Sequence, residues 1–259
     1  MPAFSRLMDT RREHHPISTL PAAEGRHFDG REMTMVHRMF RREFPLAGGV
    51  VRHVACGDTR HAHMVAAHLR LINSTLHHHH SGEDQYVWPL LEMRAPSQVS
   101  EHVLRVMAQH RRVDAEQAEV DVELPVWSCS ATADSRDRLA AALDRLAASV
   151  IEHMDYEELH VVPPMETHIG LAEWNQIVQT MTAGLDPGNA LLVLGMSMYE
   201  GESDIIEHTI ENMSPEMRAG IRGTAALAYA EHAQLVHGSA TPPRSTEILR
   251  RSRGRLSGR

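Results

Sequence analysis

The sequence predicts an all-α fold, a four-helix up-down bundle with additional C-terminal helices, and three observations predict it. Ala, Leu, Met, Glu, Arg and Gln dominate the middle of the 259-residue chain, which favours helix. Aromatics are scarce and β-branched residues do not run in alternating stretches, so no strand signal competes. Four long segments carry apolar residues at alternating steps of three and four, the signature of a helix face in a bundle core. Short polar or proline-containing breaks separate them, which implies antiparallel neighbours.

Taken in order, residues 1–28 contain Pro2, Pro16 and Pro21, show no helical period and read as disordered. The first helix starts at an Asp29 N-cap and runs to about Ala55, with Pro45 and the Gly48-Gly49 pair expected to bend it. Its stripe is Met33, His37, Phe40, Phe44, Ala47, Val51 and Val54. The second runs from after Asp58 to about Met93, with Val65, Leu69, Ile72, Leu76, His79 and Glu83 in register. The third begins after Pro96 and is expected to end before Pro125; its stripe is Val99, Val103, Val106, His110, Val113, Gln117 and Val120. The fourth starts near Asp134 and ends before Pro163, with Leu139, Leu143, Leu146, Val150, His153 and Glu157 in register. The bundle is therefore assigned to residues 29–168. A helical extension follows over 169–238, with helices opening at Glu173-Trp174, Pro187 and Ser214-Pro215-Glu216. Its histidines, His208, His232 and His237, read as surface or packing residues. From 239 the chain turns to Thr-Pro-Pro-Arg and then a run of arginines, and reads as a disordered basic tail to 259.

Composition narrows the function classes. A net charge of -8 argues against general nucleic-acid binding. Two cysteines, Cys56 and Cys129, make neither a disulfide framework nor a Cys-rich zinc site, and fit a reducing cytoplasm. No apolar run approaches the ~20 residues that span a bilayer, and the start of the chain has no apolar core of signal-peptide length. The expectation is a cytoplasmic protein without membrane or nucleic-acid partners; its oligomeric state is open.

The 20 histidines are the unusual feature. Each stripe is apolar until it meets a histidine, and in the second and fourth helices a glutamate follows four residues later. Burying a lone polar or charged group costs several kcal/mol unless it is paired or bound to metal. Six such groups on four core stripes need a shared partner, and cations supply one. His79 with Glu83 and His153 with Glu157 each lie on one helix face, about a turn apart. His37 and His110 add an imidazole from the other two helices. A carboxylate can bridge two ions, so this set serves a dinuclear site. The alternative is a buried His–Glu network without metal. The run His77-His78-His79-His80 offers two pairs at the required spacing, His79 with Glu83 and His80 with Asp84; the heptad count selects the first. His77, His78 and His80 are expected at the rim or the surface, where one of them could lie behind a ligand. Mixed imidazole and carboxylate ligation suits iron better than magnesium or calcium, and zinc and manganese also accept it.

The segments His37-Arg-Met-Phe-Arg-Arg, His79-His-Ser-Gly-Glu-Asp-Gln-Tyr-Val-Trp-Pro-Leu-Leu, Gln109-His110 and His153-Met-Asp-Tyr-Glu-Glu carry a resemblance. In this order they resemble the haemerythrin-like (HHE cation-binding) family, especially its actinobacterial members, over roughly residues 30 to 165. The resemblance implies two iron ions with an oxo or hydroxo bridge, Glu83 and Glu157 as bridging carboxylates, and His37, His79, His110 and His153 as terminal ligands. Two positions depart from the oxygen-carrying members. Asp114 stands where they place a second third-helix histidine, and their fourth-helix carboxylate, five after its histidine, would be Glu158 rather than Glu157. A ferritin-like reading needs two Glu-x-x-His pairs, and the bundle has one, Glu157 with His160. The small ligands such a centre would meet are peroxide, O2 and NO. Peroxide-degrading redox chemistry is the leading expectation, with Asp114 leaving one iron an extra open position. A non-enzymatic O2, NO or iron sensor is the alternative, and a purely structural helical domain the third class.

Overall fold

The computed structural model describes residues 26–182, 185–213 and 215–256. The reading of residues 1–25 as disordered lies outside them. The bundle is built from α1 (Gly30–His53), α2 (Thr59–Gly82), a π-helical turn (Glu83–Val87), α3 (Trp88–Arg94), α4 (Pro96–Ser130) and α5 (Ala133–His160). α6 (Val162–His168) completes the segment to residue 168, the extension holds α7 (Leu171–Thr182), α8 (Pro187–Glu200), α9 (Ser203–Glu211), α10 (Pro215–Arg218) and α11 (Ile221–His237), and α12 (Ser245–Leu256) follows. Among the described residues the β structure amounts to one antiparallel bridge, His27 to Gly170.

Local chemistry accounts for the helix starts. Asp29 accepts from the Arg31 N–H, Asp58 from His61 and Thr132 from Ser135, each satisfying a donor that the first turn leaves free. α1 continues through Pro45 as one helix. Gly48 serves close packing instead: a Cβ there would run into the Asp144 carboxylate and the Ala140 carbonyl on α5. The π-helical turn precedes Pro89, which has no N–H for the Gln85 carbonyl and whose ring crowds it; widening the coil relieves both.

Two expectations at helix ends are corrected. α4 does not stop at Pro125 but runs on to Ser130, because Leu124 and Trp127 continue the buried stripe and outweigh one lost hydrogen bond. The disordered start does not extend to residue 28: Phe28 is buried against Trp174, ring centroids 4.3 Å apart, and its N–H donates to the Ile169 carbonyl.

In the bundle α1 packs on α5 and α2, and α4 packs on α5 and α2, closing a four-membered ring. Its interior holds two apolar cores. One contains Phe40, Phe44, Leu69, Ile72, Leu76, Val113, Leu143 and Val150. The other contains Met33, Val87, Trp88, Leu91, Val103, Val106 and Val161. On α1, α2 and α4 the break between the cores falls at the histidines, and on α5 it falls at Glu157, one turn after His153.

The extension lies along the outside. α8 packs on α1 and α11 on α8, where Gly195 lets the Ala225 carbonyl approach. Arg42 of α1 is fully buried and reaches Glu200 Oε1 (2.9 Å) and the Met196 carbonyl (3.1 Å). The reading of a disordered tail is corrected over residues 239–256, while 257–259 lie outside the described residues. The Pro-Pro pair turns the chain so that the Tyr199 hydroxyl donates to the Pro242 carbonyl and buried Ser245 donates to Glu200 through both its N–H and its hydroxyl. α12 starts from that anchor. No helix among the described residues is long and apolar enough to cross a membrane.

Candidate metal centre

All six sequence-assigned residues meet in the layer between the two cores. His37, Glu83, His110, His153 and Glu157 are at most 1% exposed, and His79 is 9% exposed. Glu83 Oε1 lies 3.1 Å from His79 Nε2, and Glu83 Oε2 lies 3.7 Å from His110 Nε2. Glu157 Oε2 lies 3.2 Å from His153 Nε2 and 3.7 Å from His37 Nε2. Each carboxylate thus spans two imidazoles from different helices.

A seventh residue joins them. His80, expected at the rim or surface, is 2% exposed. Its ring stacks on His110 at 4.1 Å between centroids and meets His153 edge-on at 4.7 Å. The sequence signal was present: Asn73, Leu76, His80, Glu83 and Val87 form a stripe of threes and fours as regular as the one through His79, and all five are buried. A core-facing helix buries more than one line of residues, so selecting a single register discarded His80. His77 and His78 do face solvent. Asp114 is half exposed, has His77 at 3.6 Å and takes no part in the layer.

The polar atoms fall into two groups, each able to surround one ion with all its donor atoms within 4.8 Å of one another. One is His80, Glu83, His110 and His153; the other is His37, His79, Glu83 and Glu157. Glu83 belongs to both. Outer contacts aim the rings inward. His37 Nδ1 is 3.0 Å from Glu158 Oε1, itself held by Arg41 at 2.6 Å, and His110 Nδ1 is 2.9 Å from Asp84 Oδ1. With the proton on Nδ1, each Nε2 presents a lone pair to the centre, the arrangement that orients metal-binding histidines. Glu158 therefore supports His37 from outside while Glu157 faces the centre.

Whether ions fit is tested by the atoms left over. Both oxygens of Glu83 and Glu157, Nε2 of His110 and both ring nitrogens of His80 and His153 are buried without a hydrogen-bond partner in the protein. His37 Nε2 and His79 Nε2 point at each other 3.2 Å apart. A metal-free His–Glu network would pair these groups, since each orphan costs about 1–3 kcal/mol. One donor atom from each of these residues falls instead in one of the two four-residue groups, as ligands of cations do. The electrostatics agree. Burial, then the neighbouring histidines, holds His79 and His80 well below the usual imidazole range, and burial lowers His153 too, so these rings are neutral donors. Burial and then Glu157 push Glu83 well above the carboxylate range. Burial also works against ionisation of Glu157, but its contact with His153 and the nearby His37 outweigh this and hold it low. The donor set, imidazole plus carboxylate without thiolate, suits iron, zinc or manganese.

No curated protein and no solved structure matches the chain. The model of the hemerythrin HHE cation binding domain matches residues 30–165, a span that contains all seven residues of the layer. With more than half of its length matched, and with the His and Glu clusters of that span gathered between its four helices, the chain belongs to the haemerythrin HHE cation-binding family.

Proposed function

We propose that the chain is a non-haem di-iron protein that acts on peroxide. The observation that carries this reading is the pair of four-residue groups sharing Glu83, buried between two apolar cores. The proposed ligands are His37, His79, His110, His153, Glu83 and Glu157, with His80 added from its burial and unpartnered nitrogens. The chemistry such a pair of irons supplies when bound is two-electron redox change: one hydrogen peroxide is oxidised to O2, and a second takes up the two electrons and two protons to give two waters. The protein's own part is to hold and to exclude. Glu158 and Asp84 fix the outer nitrogens of His37 and His110. Phe40, Leu76, Val106 and Trp88 wall the layer with apolar surface, which favours a ligand of two heavy atoms, such as peroxide, O2 or NO, over bulk water.

A second reading, a reversible binder or sensor of O2 or NO, is favoured by His80. The sequence expectation of an extra open position rested on Asp114, and His80 brings a fifth imidazole to the groups that Asp114 leaves short. A more saturated pair of ions suits binding and release of one small ligand. Oxygen evolution from hydrogen peroxide, followed with an electrode, separates the readings. Holo protein should exceed both apo protein and an equal concentration of free iron, and Glu157→Ala should abolish the difference. If holo protein does no better than free iron, the enzyme reading fails and the binder takes its place.

A further inference from the structure

We propose that Glu43, His68 and His237 form a separate, mononuclear site for a divalent transition-metal ion of the zinc class, joining the bundle to its extension. The three come from α1, α2 and the last turn of α11, and share no residue with the layer described above. His237 lies outside the segment that the family model matches. The side chains of Glu43 and His68 are at most 1% exposed and that of His237 is 6% exposed, with their donor atoms within 4.8 Å of one another.

The two oxygens of Glu43 are used differently. Oε1 accepts from Arg42 Nε at 2.8 Å and from the Tyr229 hydroxyl at 3.3 Å. Oε2 faces the histidines, 3.3 Å from His68 Nε2 and hydrogen-bonded to His237 Nε2 at 3.2 Å. The other nitrogen of His68, Nδ1, sits 3.1 Å from His232 Nε2. When that nitrogen carries the proton and donates to His232, His68 Nε2 is a bare lone pair facing a carboxylate oxygen. His68 Nε2 is indeed buried without a hydrogen-bond partner. Two acceptors held face to face in the interior repel unless a cation lies between them.

The spacing fits that cation. Zinc binds histidine nitrogen and carboxylate oxygen at about 2.0–2.2 Å, so neighbouring ligand atoms of a tetrahedral site stand about 3.3–3.6 Å apart. The His68–Glu43 separation of 3.3 Å falls at the short end of that range and the His237–Glu43 separation of 3.2 Å just below it. The charge fits as well. Buried Arg42 is shared by two buried carboxylates, Glu43 and Glu200, which leaves this group one negative charge in excess. Two imidazoles and one carboxylate suit zinc better than magnesium or calcium. His232 then has the role of an orienting partner, fixing the His68 tautomer from behind. An ion here would pin the end of α11 to α1 and α2.

The test uses the full chain, loaded with iron, equilibrated with Zn2+ and freed of loose metal on a chelating resin. Metal content is measured together with zinc-edge X-ray absorption. Wild type should keep about one zinc per chain with iron unchanged, and the absorption should show imidazole scattering. His68→Gln and His237→Gln should each lower the retained zinc at least ten-fold while iron content stays at the wild-type level. Wild type that retains no zinc beyond what displaces iron, or variants that both retain it, would overturn the proposal. Should a variant fail to fold, the wild-type stoichiometry and absorption edge decide by themselves.

Discussion

His80→Leu distinguishes a metal centre from a buried polar network, because the two predict opposite signs in the metal-free protein. Both ring nitrogens of His80 are buried without partners, and the ring touches His110 and His153. Leucine keeps apolar bulk at this position and removes both orphans, each of which costs about 1–3 kcal/mol. The apo variant should therefore be more stable than apo wild type by up to about 2–6 kcal/mol, at about 2–4 °C of melting temperature per kcal/mol for a chain of this size. With iron present this gain is opposed by weaker metal binding. Even a residue behind a ligand is worth about 10–100-fold in metal affinity, so loss of a ligand should cost at least about 100-fold, or ~2.7 kcal/mol. The assay is iron content with thermal melts of apo and holo forms, using His78→Leu, on the exposed face, as control. If the apo variant melts lower than apo wild type while iron content is unchanged, His80 is a packing residue of a metal-free network and its place among the ligands is refuted.

Three further outcomes follow from the same geometry. Iron removal should lower the melting temperature, since an ion at 100 times its Kd stabilises the folded state by about 2.7 kcal/mol; identical melts after verified removal would contradict a metal site. Glu158→Ala should lower iron affinity about 10–100-fold by releasing His37 Nδ1, and an unchanged titration would show that this contact does not orient the ring. Away from the centre, the Arg94 guanidinium beside Glu173 holds its carboxyl below the usual range, despite some opposing burial. Its folded-state value lies below the unfolded one, so its contribution is present above about pH 4.5 and is lost as pH falls through the folded value. Urea melts should show Glu173→Gln destabilising the protein more at pH 7 than at pH 3, and equal losses at both would mean that packing, not charge, is what it supplies.

The bundle was legible because its information is periodic. A stripe at steps of three and four is set by helix geometry, and a histidine interrupting such a stripe on four helices at matching depths can be seen without coordinates. What the stripe did not carry was its width. His79 and His80 cannot both lie on a line one residue wide, yet they both face the layer, because the space between four helices is broader than the contact between two. The tail and the last turns of α4 beyond Pro125 escaped for a different reason: proline marks a local preference, and Trp127 and Ser245 are held by tertiary contacts that local preference does not record. The Glu43 cluster was the least legible of all. Its members are 25 and 169 residues apart along the chain, from Glu43 to His68 and from His68 to His237, and no stripe links them. They meet only because α8 and α11 fold back along α1, a placement fixed by Arg42 reaching Glu200 and by Gly195 admitting α11. A site within one bundle inherits the period of its helices, whereas a site between bundle and extension depends on how the two dock. Sequence period can therefore locate the first kind of site and has no means of locating the second.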